Sequence, residues 1–149
     1  VSLDRFATAH HIASLVRKGE ISAEEAAGTF LERIARLNPL LNAYTDITAE
    51  RALAEARALD RARVRGASLG PLAGVPFAVK NLFDISGLPT RAGSKINRDL
   101  PPASQDGLLV RRLSAAGGVL LGGLNMGEYA YDFTGENAHD GACRNPHDP

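Results

Sequence analysis

The sequence predicts an α/β fold in which N-terminal helices lead into the first strands and helices of a sheet. Three observations predict it. Residues 8–65 carry apolar residues at helical spacing in three successive runs. After Gly66 the texture changes, with frequent glycine and proline and shorter segments. From Val75 the order is strand, helix, strand, helix, which places two strands parallel in one sheet.

The elements follow in order. Ile12, Leu15 and Val16 form one face of a helix over 8–18, and Gly19 closes it. "SAEE", Ser22 to Glu25, is a capping box, with serine at the cap and glutamate three residues on. Ala27, Phe30, Leu31 and Ile34 continue as an apolar stripe, and Asn38-Pro39 is expected to end that helix. A third helix over 48–65 presents Leu53, Ala56 and Leu59 on one side and ends at Gly66. Val75–Lys80 reads as a strand and 86–104 as an extended loop. Asp106 is placed to cap a helix carrying Leu109, Val110 and Leu113. Val119–Leu121 reads as a buried strand, and Asn125 as the cap of a short helix with Glu128 at its third position. Residues 1–66 are thus a helical lead-in and 67–149 the start of an α/β core, both within one domain.

Composition argues against several classes, although a local basic patch remains open over Arg57 to Arg65. Lysine plus arginine equals aspartate plus glutamate at 17 each, so no overall basic surplus is available to grip nucleic acid or an anionic membrane. A lone cysteine, Cys143, forms no internal disulfide and fits a reducing, cytoplasmic compartment. No apolar stretch is long enough to span a bilayer, and no secretory leader is visible. The closing "CRNPHDP" is turn-like, where a further element is expected to begin.

Lys80 ends an apolar strand inside "GPLAGVPFAVKNLFD". Two readings compete. Its stem can lie over apolar surface while the ammonium stays in water. Alternatively it stands in a confined polar site and carries protons, which requires partial burial to favour the neutral amine. Composition does not decide between them.

The remaining motifs bear on the choice. "GPLAGVPFAVKNLFD", "GLPTRAGSK", "DGLLVRRLSAAGGVLLGGLNMGEYA" and "TGENAHDGACRNPHDP" occur in this order and spacing, and together they resemble the amidase signature family over residues 66–149. The resemblance implies an incomplete amidase-signature fold with a mixed sheet. It also implies a Ser–cis-Ser–Lys mechanism with Lys80 as the proton-accepting lysine and no metal or organic cofactor. The two serines and the oxyanion loop of that family lie in a Gly-Gly-Ser-Ser-Gly-Gly-Ser-type segment. Here Gly117-Gly118 runs into Val119 and Gly122-Gly123 into Leu124, so Lys80 is the member of the triad that this chain supplies. The 149 residues are expected to hydrolyse nothing by themselves.

"NMGEYAYDFTGEN" resembles the branch of the family that cleaves small ureides of the 1-carboxybiuret type. It points to Met126, Tyr129, Tyr131, Asp132, Gly135 and Asn137 as the border of a substrate pocket. Core packing is the alternative for both tyrosines, and a cap or turn role for Asp132. Ser94 either assists Lys80 from a neighbouring loop or is an ordinary turn serine. His10-His11 point apart on a helix, and His139-Asp140 and His147-Asp148 lack ligand spacing, so no metal site is expected. Cys143 has no activating helix start and reads as inert.

Three functions remain open. The first is an amide hydrolase acting on a small amide or ureide, of which this is the N-terminal part. The second is the A subunit of a glutamine-dependent tRNA amidotransferase, which alone would bring nucleic acid into play. The third is a catalytically inert fragment or scaffold. Partners implied by the resemblance are a small GatC-like subunit or a second copy of the chain, with no membrane. Missing strands are expected to leave Val75–Lys80 or Val119–Leu121 at an open edge, with marginal stability as the consequence.

Overall fold

The computed structural model describes residues 3–4 and 6–149. Its elements are α1 (Ala9–Lys18), α2 (Ala23–Leu41), β1 (Tyr44–Ile47), α3 (Ala49–Val64), β2 (Pro76–Lys80), α4 (Leu108–Ala115) and β3 (Val119–Leu124). Two short 3-10 turns lie at Lys95–Asp99 and Glu128–Ala130. No helix among the described residues is long and apolar enough to cross a membrane.

The helix signals act as their chemistry requires. The Thr8 side chain accepts from the His11 amide, and Gly19, at φ 73°, closes α1. At α2 the Ser22 amide donates to Glu25 Oε2 at 2.7 Å and the Glu25 amide to Ser22 Oγ at 2.9 Å, completing the capping box. Pro39 does not end α2, which runs to Leu41. A proline in the last turn forfeits one backbone bond only. Asn42, at φ 50°, then turns the chain out of the helix. The buried face of α3 is Ala52 and Ala56 rather than Leu53 and Leu59, both only half-buried.

The sheet has the order β1-β3-β2. Strand β1 lies within the predicted helical lead-in, where the sequence shows no strand. It forms because Asn38 imitates a neighbouring strand: its Nδ2 donates to Tyr44 O and its Oδ1 accepts from Tyr44 N. β1 pairs antiparallel with β3, with a bulge between Tyr44 and Asp46. The bonds Val119 N to Val75 O and Asn81 N to Leu124 O advance in the same sense, so β3 and β2 run parallel as expected. The sheet is therefore mixed. β3 is its centre, not an edge; of the two predicted edge strands only β2 is one. β3 also extends beyond Leu121 to Leu124, where it pairs with β1, and glycine at 122 permits the close approach because a Cβ there would collide with Asp46 O.

The chain forms two compact units. One contains the residues up to Arg33, Thr48–Phe77 and Arg111–Leu121; the other contains Ile34–Ile47, Ala78–Val110 and Gly122–Pro149. In the first, alanines and branched residues of α1–α3 join Val119, Leu120 and Leu121 in the core. The second carries Lys80 and every other residue predicted for the site.

Candidate active site

Lys80 is the last residue of β2 and its side chain is exposed. The partial burial expected of a proton-carrying lysine is therefore not found. An edge strand places its final side chain in solvent unless a further element covers it. The residue after it does the opposite. Asn81 is buried, and all its polar groups are used. Its amide donates to Leu124 O, and its Nδ2 to Thr45 Oγ1 at 3.0 Å. Its Oδ1 accepts from the Gly93 amide at 2.9 Å, and its carbonyl from the Ala92 amide at 3.0 Å.

The loop so anchored, Arg91–Ser94, carries the "RAGS" of the predicted motif. Ala92 and Gly93 both have left-handed φ, 50° and 68°. A Cβ on Gly93 would come within 2.8 Å of Met126 O, so only glycine allows this approach. Ser94, 1% exposed, donates its hydroxyl to Glu128 Oε1 at 2.6 Å. Its partner is Glu128, not Lys80. That bond, with the nearby His139 ring at 3.4 Å as a lesser cause, holds the Glu128 carboxyl below its ordinary value. Just before the loop's strained residues, Arg91 faces Asp46 at 3.1 Å and Asp140 at 3.9 Å, and Arg98 faces Asp140 at 2.5 Å. Asp140 is thus shared by two arginines, one of which also faces Asp46.

The Met126–Asn137 segment bounds an open cleft of about 460 Å³ lined by Glu128, Asp132, Glu136, Asn137, Ala138 and Ala142. Asp132 and Asn137 of the predicted border line it; Met126, Tyr129, Tyr131 and Gly135 do not. Lys80 is not on its wall either. Asn137 is saturated: Nδ2 donates to Gly93 O and Met126 O at 2.7 and 2.8 Å, and Oδ1 accepts from the amides of His139 and Asp140. Two donors and two lone pairs are all a carboxamide has, so it shapes the cleft instead of offering a free polar group. Met126 is buried. Tyr129 and Tyr131 are 57% and 95% exposed, which rules out core packing here. Asp132 is a turn residue whose Oδ1 accepts from the Thr134 amide and hydroxyl. Gly135, at φ 77°, accepts from the Cys143 amide.

Two helix caps expected from the sequence prove to be other things. Asn125 starts no helix; its Nδ2 donates to Asn42 O and Gly141 O, stitching two loops together. Asp106 Oδ1 accepts from the Ser86 amide, and α4 begins at Leu108. Sequence reasoning missed Asn81, and took Glu128 for a capping residue. The signal for Asn81 was a carboxamide directly after an apolar strand, where a buried backbone needs partners.

A parallel β2–β3 pair joined through α4, with a lysine ending the edge strand and a glycine-serine loop gripped beside it, defines the class: an α/β domain built on a mixed sheet. The Amidase family matches residues 25–149, and the chain belongs to that family. It is 59% identical over 133 residues to AtzE, a 1-carboxybiuret hydrolase subunit of Pseudomonas sp. (strain ADP), covering 89% of this chain and 29% of that protein. It is 45% identical over 143 residues to the glutamyl-tRNA(Gln) amidotransferase A subunit of Moorella thermoacetica, covering 96% and 29%. Among solved structures it is similar to a chain of a vestigial protein complex that reveals the evolutionary origins of an s-triazine catabolic enzyme, with TM-score 0.94, 56% identity and coverage of 95% and 31%. A bacterial aryl acylamidase of the amidase signature family superposes with TM-score 0.90 at 30% identity, covering 96% and 30%. The chain spans less than a third of the length of these relatives.

Proposed function

We propose that this chain is the N-terminal part of an amidohydrolase that cleaves C–N bonds of small amides or ureides, with Lys80 as its proton carrier. The 59% identity to a 1-carboxybiuret hydrolase subunit is the observation that carries the reading, against 45% for the amidotransferase relative. In the scheme implied by the family, the Lys80 amine takes a proton from a serine in a cis peptide, which takes one from a second serine. The second serine's oxygen bonds to the amide carbonyl carbon. The C–N bond then breaks as the proton passes to the departing nitrogen, and water hydrolyses the ester. Backbone amides of a glycine-rich loop hold the oxyanion. Both serines must come from sequence that this chain does not contain.

The test uses a polypeptide of the relatives' length beginning with these residues. It is expected to hydrolyse 1-carboxybiuret, with Lys80→Ala lowering kcat by about 10²–10⁴-fold. Unchanged turnover in Lys80→Ala would remove the lysine from the mechanism. Glutaminase activity in complex with a small second protein, without ureide hydrolysis, would favour the second reading, the A subunit of an amidotransferase. The 149 residues alone are expected to release no ammonia from either substrate.

A further inference from the structure

Residues Ala92–Ser94 are gripped from two sides. On one side is Asn81, covalently next to Lys80: it accepts from the Ala92 amide through its carbonyl and from the Gly93 amide through its side chain. On the other side are three residues of the Glu128–Asn137 stretch. The Tyr129 amide donates to Ala92 O at 2.8 Å, Asn137 Nδ2 donates to Gly93 O at 2.7 Å, and Glu128 accepts the Ser94 hydroxyl at 2.6 Å. Each of the three loop residues therefore has one bond to the Glu128–Asn137 stretch, two of whose bonding residues, Glu128 and Asn137, line the cleft, and two of the loop residues have a bond toward the lysine strand.

The backbone there is also strained. Ala92 and Tyr129, at φ 50° and 52°, are both left-handed without being glycine, and they are hydrogen-bonded to each other. Such conformations persist only where the surroundings over-determine them. A helix or strand would satisfy these backbone groups without strain. Here they are satisfied only with the cleft wall and the lysine strand tied together.

We propose that Ala92–Ser94 is a mechanical link from the cleft wall to Lys80, and that Glu128 and Asn137 are positioning residues for that lysine. Glu128 acts through Ser94, the adjoining Gly93 and Asn81 without touching the amine. This rests on the reading of Lys80 as proton carrier, but the link itself is testable without catalysis.

The experiment compares Glu128→Ala with Glu128→Gln in the 149-residue chain, by NMR of the Lys80 side-chain resonances and by amide hydrogen exchange. Glu128→Ala is expected to shift the Lys80 Cε–Hε signals and to speed exchange at Ala92 and Gly93 by about tenfold or more, with α1–α3 unchanged. Glu128→Gln keeps an acceptor for the Ser94 hydroxyl and is expected to restore both. Lys80 signals and Gly93 exchange that stay put in Glu128→Ala would overturn the link. So would general loss of protection across α1–α3, which would make Glu128 a support of the whole fold, and so would failure of Glu128→Gln to restore the Lys80 signals. The reading of Lys80 as proton carrier fails separately, by persistent hydrolysis in Lys80→Ala.

Discussion

Leu120 and Asn137 are both buried, one in each compact unit, and they hold their surroundings in opposite ways. Around Leu120 the unit is held by apolar side chains, many of them alanines on α1–α3. Around Asn137 the loops are held by single carboxamides. The buried polar residues Asn81, Ser94, Asn125 and Asn137 all belong to that second unit. The difference teaches where tolerance lies. Apolar packing depends on volume and accepts related shapes. A saturated carboxamide depends on donors and acceptors, and no other side chain of its size supplies two N–H donors beside a two-lone-pair oxygen.

The largest effect is therefore expected at Asn137. Asn137→Leu strips partners from Gly93 O, Met126 O and the amides of His139 and Asp140, and is expected to cost on the order of 3–4 kcal/mol. Asn137→Asp, nearly the same shape, is expected to do no better, because a carboxylate oxygen would then face two carbonyls. Urea denaturation gives the comparison directly. An Asn137→Asp protein as stable as the parent would break the contrast between the units.

Next comes Leu120, fully buried on the central strand. Leu120→Ala is expected to lose about 3 kcal/mol in the same urea titration, by lost burial plus a cavity. Leu120→Met, conserving volume, is expected to lose less than about 1.5 kcal/mol. Equal losses for the two would mean that the first unit, like the second, depends on the identity of its side chains and not on their volume.

This contrast also explains what the sequence reveals. The helices of the first unit were legible because their signals are local: a capping box spans four residues, and an apolar stripe repeats within two turns. At the end of α2, which falls in the second unit, Pro39 misled, since its cost depends on how near the helix end it stands. Strand β1 was illegible because "YTDI" has no alternation of its own and borrows its partners from Asn38 and β3. The second unit was legible as motifs and not as contacts. "RAGS" and "TGEN" mark the right loops, yet nothing local says that Asn137 reaches Gly93, 44 residues away. Lys80 was found by motif, whereas its exposure belongs to an edge strand that no local pattern describes.

A smaller effect tests the local end of this scale. Ser22→Ala removes the hydroxyl that accepts the Glu25 amide, and is expected to cost about 1 kcal/mol, read as a lowered midpoint in thermal melting. Ser22→Thr keeps the acceptor and is expected to recover most of it. Loss of β1–β3 protection in Ser22→Ala would show that the helical unit is less self-contained than its local signals imply.

The smallest effect is the pH dependence of the same cap. Hydrogen bonds from Ser22, first from its backbone amide and then from its hydroxyl, hold the Glu25 carboxyl below its ordinary 4.5. The sign follows from linkage: a depressed carboxyl adds stability at pH above its unfolded value, and that stability goes as pH falls through the folded one. Stability of the parent should therefore decline more steeply than that of Glu25→Gln on acidification below about pH 4.5. The glutamine keeps an acceptor for the Ser22 amide but has no proton to gain. The two titrations should run parallel above that range, because Glu25 is ionised there in both folded and unfolded chains. Divergence at neutral pH instead would mean that Glu25 acts by its charge on α2 as a whole, as a first-turn acid can at a helix N-terminus, and not through the Ser22 pair.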